Sequence, residues 1–301
     1  MIMVEDLVKD FGLKRAINHL DLRVATGDIL GIVGPDGAGK TTLLRMLCGI
    51  LRPDSGTILI MGQNPEKMDR TRLGYMPQRF SLYPDLTVRE NLDFFGSMYH
   101  IDHQAIRRRT AEILEITGLS PFIHRLASQL SGGMKQKLSL TCALITNPSV
   151  LILDEPTYGV DPLSRREFWK MLYDLNDIGQ TIVFTTPYMD EAELCKKVAF
   201  INRGRLSPPK PPSDLIKNYP HLVVEIAMAE DPSILLNIIP GAVDCYHYAN
   251  KHRFLVDKSI PWEHLKNCLE RYNKELSFKT VPPTMEEVFV YLAEKGGSDY
   301  D

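Results

Sequence analysis

The sequence contains little cysteine and no long hydrophobic run. Its five cysteines are odd in number, far apart and never spaced as Cys-x-x-Cys. This pattern argues against a disulfide framework and gives no indication of a zinc site. The longest apolar runs, such as 29–33 and 150–153, are far shorter than the roughly 20 residues that a membrane-crossing helix needs. We therefore expect a chain in a reducing compartment, without a membrane span of its own.

An excess of charge of either sign is also missing. The 35 lysines and arginines are balanced by 38 aspartates and glutamates, which gives a formal net charge of −3. No basic patch stands out, so the composition argues against nucleic acid as the main partner. The first residues include Glu5 and Asp6 where a secretory signal would carry basic residues, and we expect no export of the chain.

The order of apolar runs predicts the fold class. At 301 residues the chain is long enough for one large and one small domain. Through residue 206, short apolar runs alternate with helical patterns, which is typical of an α/β fold with a mostly parallel sheet. The predicted core strands are 29–33, 73–76, 150–154, 182–185 and 198–201. A helical insertion is predicted at about 80–145, with its first part at 88–117.

A proline-rich segment divides the chain. Residues 207–213 contain Ser-Pro-Pro-Lys-Pro-Pro-Ser, and prolines at this density favour an extended, semi-rigid linker. We place the larger first domain at 1–206 and an accessory domain at 214–301. In the accessory domain the predicted order is β-α-β-β-α-β, a ferredoxin-like α+β pattern. Its predicted strands are 222–228, 242–246, 254–256 and 277–280, its helices are 232–239 and 262–272, and a final amphipathic helix covers 285–293.

The most informative motif is a glycine-rich loop that follows the first core strand. Glycines in this loop allow a tight turn whose N–H groups, with the start of the next helix, point at phosphate oxygens. Lys40 is expected to reach the β- and γ-phosphates of a nucleoside triphosphate, and Thr41 to ligate Mg²⁺. A turn before an ordinary buried helix is the structural alternative, although the four fixed positions arise by chance in only roughly 1% of chains this long. The predicted phosphate-binding residues are Gly34, Pro35, Asp36, Gly37, Ala38, Gly39, Lys40, Thr41 and Thr42.

Two adjacent acids end another buried strand. Asp154 and Glu155 follow the run 150–153, and successive strand residues point to opposite sides, so the two carboxylates have different tasks. Asp154 is expected to support Mg²⁺, and Glu155 to polarise the attacking water as the general base. On their own, the same residues could be two solvated acids in a turn.

A third motif is the run Leu-Ser-Gly-Gly-Met-Lys-Gln at 130–136, which opens a predicted helix. Ser131 is a good helix N-cap, and capping alone would explain it. Gly132 and Gly133 favour a further task, because a helix start without side chains can approach the γ-phosphate of a nucleotide held by another molecule.

Together these motifs resemble the ATP-binding cassette (ABC) ATPase family over residues 1 to about 206. The resemblance identifies 34–42 as the Walker A loop, 130–136 as the signature motif and 151–155 as the Walker B strand. It implies a P-loop NTPase fold, ATP and Mg²⁺ as cofactors, and ATP hydrolysis coupled to transport. It also implies that Gln78 senses the γ-phosphate and the Mg²⁺ shell, and that Phe11 stacks on adenine. Residues 159–162 resemble the loop that joins the two sites of a dimer, while a lone phenylalanine such as Phe11 is also common in a core.

The resemblance implies partners as well. Each ATP would lie between the Walker A loop of one subunit and the signature motif of a second ABC ATPase subunit. A transmembrane permease subunit would dock in a groove lined by the Gln78 loop and the insertion, which places the chain on the cytoplasmic face of the inner or plasma membrane. Phe80 and Tyr83 are candidates for this groove, although ordinary packing explains them equally well. The tail 283–289 resembles the end of cassettes that serve multidrug or polymer exporters.

Two positions depart from the family pattern. Pro187 occupies the place of a histidine that contacts the γ-phosphate, and a proline side chain can neither donate nor accept a hydrogen bond. Asp36 stands where asparagine is common, and its carboxylate is repelled by phosphate. We therefore expect ATP binding with slow turnover, and a heterodimer with a complete second cassette. A working homodimer, a regulatory ATP-binding subunit and a soluble cassette protein that acts on DNA or ribosomes are the alternatives.

Overall fold

The proline-rich segment lies where the chain divides into two units. The computed structural model describes residues 1–79, 82–227, 232–273 and 276–295. The first unit is Met1–Pro212 and the second is Ser213–Asp301. The first part of the predicted linker is not a free spacer, because the N–H of Ser207 donates to the carbonyl of Phe200 at 2.8 Å and Lys210 pairs with Val198. Prolines lack a backbone N–H, so the segment pairs with the sheet through the N–H groups of its other residues, Ser207 and Lys210.

The first unit contains helices and strands in alternation. Its strands are β1 (Ile2–Phe11), β2 (Lys14–Val24), β3 (Ile29–Val33), β4 (Ser55–Ile60), β5 (Leu73–Met76), β6 (Val150–Asp154), β7 (Thr181–Thr186), β8 (Lys197–Asn202) and β9 (Arg205–Leu206). Its helices are α1 (Lys40–Leu47), α2 (Val88–Met98), α3 (His103–Thr117), α4 (Gly132–Leu144), α5 (Pro162–Asp177) and α6 (Met189–Ala192).

The larger sheet of this unit positions the candidate site. Its strand order is β5-β6-β7-β3-β8-β9, and all neighbours are parallel except β8 and β9. Strands β3, β6 and β7 are buried at every residue, which is typical of parallel strands covered on both faces. Because these three strands are adjacent and parallel, the loops that follow their carboxyl ends meet at one edge of the sheet.

A second, antiparallel sheet has the order β2-β1-β4 and was not among the predicted elements. Its register shifts between Val4 and Leu7, and again after Leu7, so the apolar residues of β1 do not alternate regularly. Side chains from this sheet, from α1 and from the larger sheet form one buried cluster that includes Ile2, Leu43 and Ile152.

The predicted helical insertion contains α2 and α3, which pack with α4. Thr87 and Glu90 form a capping box that begins α2. Val88 and Leu92 of α2 share a buried cluster with Leu114 of α3 and Leu138 of α4. This small core gives the insertion a packed interior of its own, next to the helix that the signature motif opens.

The second unit has the ferredoxin-like order. Its elements are α7 (Pro212–Lys217), which begins at the boundary, β10 (His221–Ala227), α8 (Ser233–Ile238), β11 (Ala242–Tyr248), β12 (Lys251–Asp257), α9 (Trp262–Tyr272), β13 (Ser277–Val281) and α10 (Met285–Lys295). The strands form an antiparallel sheet in the order β11-β12-β10-β13. The predicted strand 222–228 corresponds to β10, except that Met228 lies outside the described residues.

Among the helices that the structure describes, none is both long enough and apolar enough to span a membrane.

Candidate functional site

The glycine-rich loop connects β3 to α1 and forms one wall of a cavity of about 400 Å³. Gly39 precedes α1 with φ of +114°, and a Cβ there would lie 2.6 Å from the carbonyl oxygen of Ala16. Only glycine fits such a position without strain. The Lys40 side chain is 4% exposed, and its Nζ donates to the carbonyls of Gly34 at 2.8 Å and Pro35 at 3.2 Å. The loop therefore holds its ammonium group at the start of a helix, where anions are favoured.

Many of the predicted site residues meet in this cavity. Gln78 reaches it from the loop after β5, and Glu155 from the end of β6. The predicted residues that line it are Phe11, Asp36, Gly37, Gly39, Lys40, Thr41, Thr42, Gln78 and Glu155.

Asp154 lies at the carboxyl end of β6 and is 1% exposed. Its Oδ1 accepts hydrogen bonds from the hydroxyls of Thr185 at 2.7 Å and Thr41 at 3.2 Å. Its Oδ2 is buried without a hydrogen-bond partner among the described residues. Burial raises the pKa of nearby Tyr75 to about 12, and the charge of Asp154 contributes to that shift. Burial of an oxygen without a partner costs folding free energy unless a hydrogen-bond donor or a cation binds to it.

Glu155 follows directly and turns the chain sharply, with φ of +48°. Non-glycine residues in this region of backbone space are strained and concentrate at functional sites. Its Oε1 lies 3.2 Å from Nζ of Lys40, and its Oε2 accepts from Nε2 of Gln78 at 2.8 Å. The amide N–H of Glu155 donates to the hydroxyl of Thr185 at 3.0 Å. Glu155 is thus fixed between a cation and an amide, each from a different loop.

These residues fit a nucleotide with Mg²⁺. The described residues contain no group of three or more His, Cys, Asp and Glu side chains that could hold a metal without other ligands. Mg²⁺ in nucleotide sites needs only one or two protein ligands together with phosphate oxygens and water. The bare Oδ2 of Asp154 and the neighbouring hydroxyl of Thr41 supply such ligands.

The signature turn opens α4. Ser131 is the N-cap of this helix, and its Oγ accepts from the N–H of Met134 at 3.3 Å, so the capping explanation of Ser131 describes its contact within the chain. A Cβ on Gly132 would meet no atom within 4 Å, whereas a Cβ on Gly133 would lie 2.7 Å from the Cβ of Ser164. The first glycine leaves the helix start open, and the second allows α4 to pack against α5.

The comparisons with known proteins decide the family. The family model described as ABC transporter matches residues 17–158. The Nod factor export ATP-binding protein I of Paraburkholderia xenovorans (strain LB400) is 36% identical over 99% of this chain and 98% of its own length. The chain belongs to the ABC transporter family. It is one of the family's ATP-binding cassettes, with the ATPase fold of that group.

Two further comparisons show how far the cassette extends. The "Probable multidrug ABC transporter ATP-binding protein YbhF" of Escherichia coli (strain K12) is 51% identical over 64% of this chain, but the match covers 34% of that relative's length. The chain therefore corresponds to about a third of YbhF. A solved structure of the ATP-binding cassette MJ0796, described as dimeric and bound to ADP and Pi, matches with a TM-score of 0.63 and 25% identity, over 70% of this chain and 98% of that one.

Pro187 departs from the ABC pattern in a firmly held segment. The hydroxyl of Thr186 accepts from the N–H of Tyr188 at 3.0 Å and donates to Glu191 at 2.5 Å. Glu191 is 1% exposed and also accepts from the hydroxyl of Thr157 at 2.6 Å. These bonds hold the segment from both sides of Pro187, which itself offers no polar side-chain atom.

Asp36 is the second departure from the ABC pattern. Its side chain is 95% exposed, and its Oδ1 lies 3.8 Å from Nζ of Lys40. The carboxylate can turn into water, away from a bound triphosphate, so the geometry relieves much of the repulsion that the sequence suggested.

Several cavity residues were not predicted. Lys14, Ala16 and Tyr158 line the cavity together with the exposed ring of Phe11. Tyr158 is 57% exposed. It follows the Walker B strand by only a few residues, and this closeness in sequence is a signal that could have found it. Lys14 and Ala16 belong to β2, whose approach to the loop depends on the antiparallel sheet and has no local signature.

Proposed function

We propose that this chain is the ATP-binding and ATP-hydrolysing subunit of an ABC exporter. The observation that carries the proposal is the meeting of Lys40 and Glu155 in one cavity at the edge of the parallel sheet, with Asp154 directly behind it and bonded to the lining residue Thr41. Export is supported by relatives whose names describe multidrug and Nod factor export ATP-binding proteins.

The geometry supports an ordered use of the site. Before nucleotide enters, Lys40 is bonded to Glu155 and to the carbonyls of Gly34 and Pro35. Triphosphate oxygens compete for the ammonium of Lys40, and their binding frees Glu155 to accept a proton from water as the general base. Gln78 stays within reach of Glu155 and orients it. Glu155 is thus held by Lys40 until phosphate oxygens take its place beside the ammonium group.

Mg²⁺ would be held by Thr41, Asp154 and Gln78, and it supplies positive charge against the phosphate oxygens. The protein contributes a fixed frame for these ligands. Thr185 donates to Asp154 and also accepts from the backbone of Glu155, so one hydroxyl orients both acids.

The second half of the proposal concerns partners. We propose a head-to-tail pairing in which Ser131, Gly132 and Gly133 cover the nucleotide of a second ABC ATPase subunit. The open space beside Gly132 at the start of α4 supports this role, because anions are favoured at helix N-termini. The solved cassette MJ0796 is dimeric in its ADP and Pi state, which supports a dimer of cassettes here.

A transmembrane permease subunit is the second proposed partner, on the cytoplasmic face of the inner or plasma membrane. A cavity of about 390 Å³ lies between the Gln78 loop, the insertion and α4. Tyr83, which lies in sequence between the lining residues Leu82 and Pro84, is 44% exposed and contacts Phe94 edge to face, with ring centroids 4.5 Å apart. Tyr83 therefore presents an aromatic surface for a docking helix, whereas Phe80 lies outside the described residues.

We further propose that Pro187 makes this chain's own site slow. A hydrogen-bond donor that faces the negative charge of the transition state is absent at this position. Loss of one such donor costs on the order of 3 kcal/mol of transition-state stabilisation, or roughly a hundredfold in rate. The signature turn is intact, so the chain can complete the site of a second, fully equipped cassette. This asymmetry favours a heterodimer over a homodimer, and it supports a largely regulatory role for this chain's own nucleotide.

Restoring a histidine tests this proposal. We expect Pro187→His to raise the Mg²⁺-dependent ATPase rate of the purified chain by roughly a hundredfold, with ATP affinity little changed. Pro187→Ala is the matched control, because it removes the proline ring without adding an imidazole, and it should stay slow. Wild-type turnover equal to that of the Pro187→His chain would contradict the slow-site proposal.

A further inference from the structure

A separate cavity lies within the second unit, between the sheet and α10. Its volume is about 330 Å³, which is within the range of roughly 300–1,000 Å³ for small-molecule sites. Strands β10 and β11 supply one side of it and α10 supplies the other. All of its lining residues belong to the second unit, so it is unrelated to the nucleotide cavity.

Three aromatic rings form a wall of this cavity. Tyr219, His221 and Tyr291 contact one another edge to face, with centroids 5.6, 5.7 and 5.8 Å apart. The two tyrosine rings present negative π-faces that attract cations. Apolar side chains of Val243 and Val290 lie beside the rings.

The charges of the lining are almost all negative. Asp244, Glu286 and Glu294 line the cavity, and none of them forms a salt bridge with a cation in the described part of the chain. Glu287 is paired, because its Oε1 lies 3.3 Å from Nη1 of Arg253, which it shares with Glu225. The lining contains no lysine or arginine, so His221 is its one basic side chain within the described residues.

One hydroxyl of the lining also has no hydrogen-bond partner among the described residues. Tyr219 is 3% exposed, and no hydrogen bond of its hydroxyl occurs among the residues that the structure describes. Burial raises the pKa of Tyr219 to about 12, and the negative charges of Glu287, Glu294 and Asp244 act in the same direction. At neutral pH the hydroxyl keeps its proton, and its oxygen can accept a hydrogen bond from a bound donor.

We propose that this cavity binds an organic ammonium ion that carries an aromatic or branched apolar group. The aromatic wall and the three unpaired carboxylates would hold the cation, and the Tyr219 hydroxyl would accept one of its N–H bonds. The valines would cover the apolar group. Anionic ligands are disfavoured by the carboxylates, and the described residues offer no cluster of side chains that could hold a metal ion.

The test uses the full chain and a pair of probes that differ only in charge. In calorimetric titrations at pH 7 we expect 2-phenylethylamine, which is then an ammonium ion, to bind with one-to-one stoichiometry. We expect its uncharged analogue 2-phenylethanol to bind at least about tenfold more weakly, because it lacks the cation.

Two variants locate the site, and one controls for net charge. Glu286→Gln combined with Glu294→Gln should weaken amine binding by about tenfold, and Tyr219→Phe by several-fold, because these changes remove charge or the acceptor while keeping shape. Glu263→Gln combined with Glu270→Gln on α9 changes the net charge equally, away from the cavity, and should leave the affinity unchanged. Circular dichroism confirms that each variant is folded.

Three results would overturn the proposal. They are equal binding of the amine and the alcohol, no saturable amine binding, and amine binding that is insensitive to both cavity variants in folded protein.

Discussion

The pairing of Lys40 with Glu155 is the central contact at the scale of single residues. Both side chains are at least 95% buried, and each has further partners that fix its direction. A buried ion pair is stable only when its geometry is good and hydrogen bonds satisfy its remaining polar atoms. Removal of one partner destabilises the protein, because it leaves the other charge buried without compensation. In this chain the pairing joins the glycine-rich loop to the proposed base, and we propose that nucleotide entry and release of the base are linked through it.

This linkage predicts the behaviour of Glu155→Gln. In the Pro187→His background, we expect the substitution to lower kcat by at least about a hundredfold while ATP still binds, because the amide cannot act as a base. Steady-state ATPase rates and equilibrium binding of a fluorescent ATP analogue provide the two readouts. Glu193→Gln, an exposed neighbour of the site's strands, is the control and should change neither. Full activity of Glu155→Gln would exclude Glu155 as the base.

At the scale of elements, Glu191 ties three of them together. It accepts from Thr157 after β6, from Thr186 at the end of β7 and from Nε1 of Trp169 on α5. Removal of this carboxylate leaves buried donors without a partner, which typically costs about 1–3 kcal/mol per group.

We therefore expect Glu191→Ala to lower the free energy of unfolding of the first unit by about 3 kcal/mol. Urea unfolding followed by Trp169 fluorescence, in a Trp262→Phe background, reports on this unit alone. Glu193→Ala, exposed in the same segment, should shift stability by less than about 0.5 kcal/mol. A small effect of Glu191→Ala would show that the network does not stabilise the segment around Pro187.

The two signature glycines have separate tasks in the packing of α4. Asp161 caps α5 by accepting from the N–H of Ser164 at 2.9 Å, and this bond lowers the pKa of Asp161. Ser164 is thereby fixed where a Cβ at position 133 would collide with it. Gly133→Ala should therefore destabilise the first unit by about 1–3 kcal/mol.

Gly132→Ala is the matched substitution, because its Cβ points into open space. We expect it to leave the thermal unfolding midpoint unchanged but to weaken ATP-dependent association with a second cassette. Scanning calorimetry and light scattering measure the two effects. Equal loss of stability in both variants would contradict the assignment of packing to Gly133 alone.

Sequence reasoning performed best where a local pattern carries the structure. The buried strands β3 and β6 follow directly from their apolar runs, and the ferredoxin-like order follows from the strand and helix pattern after the prolines. The antiparallel sheet was missed because register shifts in β1 interrupt its alternation. The tight fit of Gly133 against Ser164, and the approach of Lys14 to the nucleotide cavity, depend on tertiary packing and leave no local signal.

At the scale of the whole molecule, the chain combines an ABC cassette with a second unit that has its own core and its own cavity. The proposed transport machine needs more than this chain, since the permease and the second cassette are separate partners in the account. We propose that Pro187 and the intact signature turn together give the chain an unequal share of the catalysis. Its proposed task is to bind ATP firmly and to complete the site of its partner.

Equilibrium binding of ATP with Mg²⁺ to the purified chain tests the central claim most directly. The account predicts saturable binding to the wild type and an affinity about tenfold to a hundredfold lower in Lys40→Ala, because a buried charged hydrogen-bond donor to phosphate is lost. Lys67→Ala, an exposed lysine of the same unit, should bind ATP as the wild type does. Absence of saturable binding in the wild type, or equal affinity in Lys40→Ala, would contradict the account.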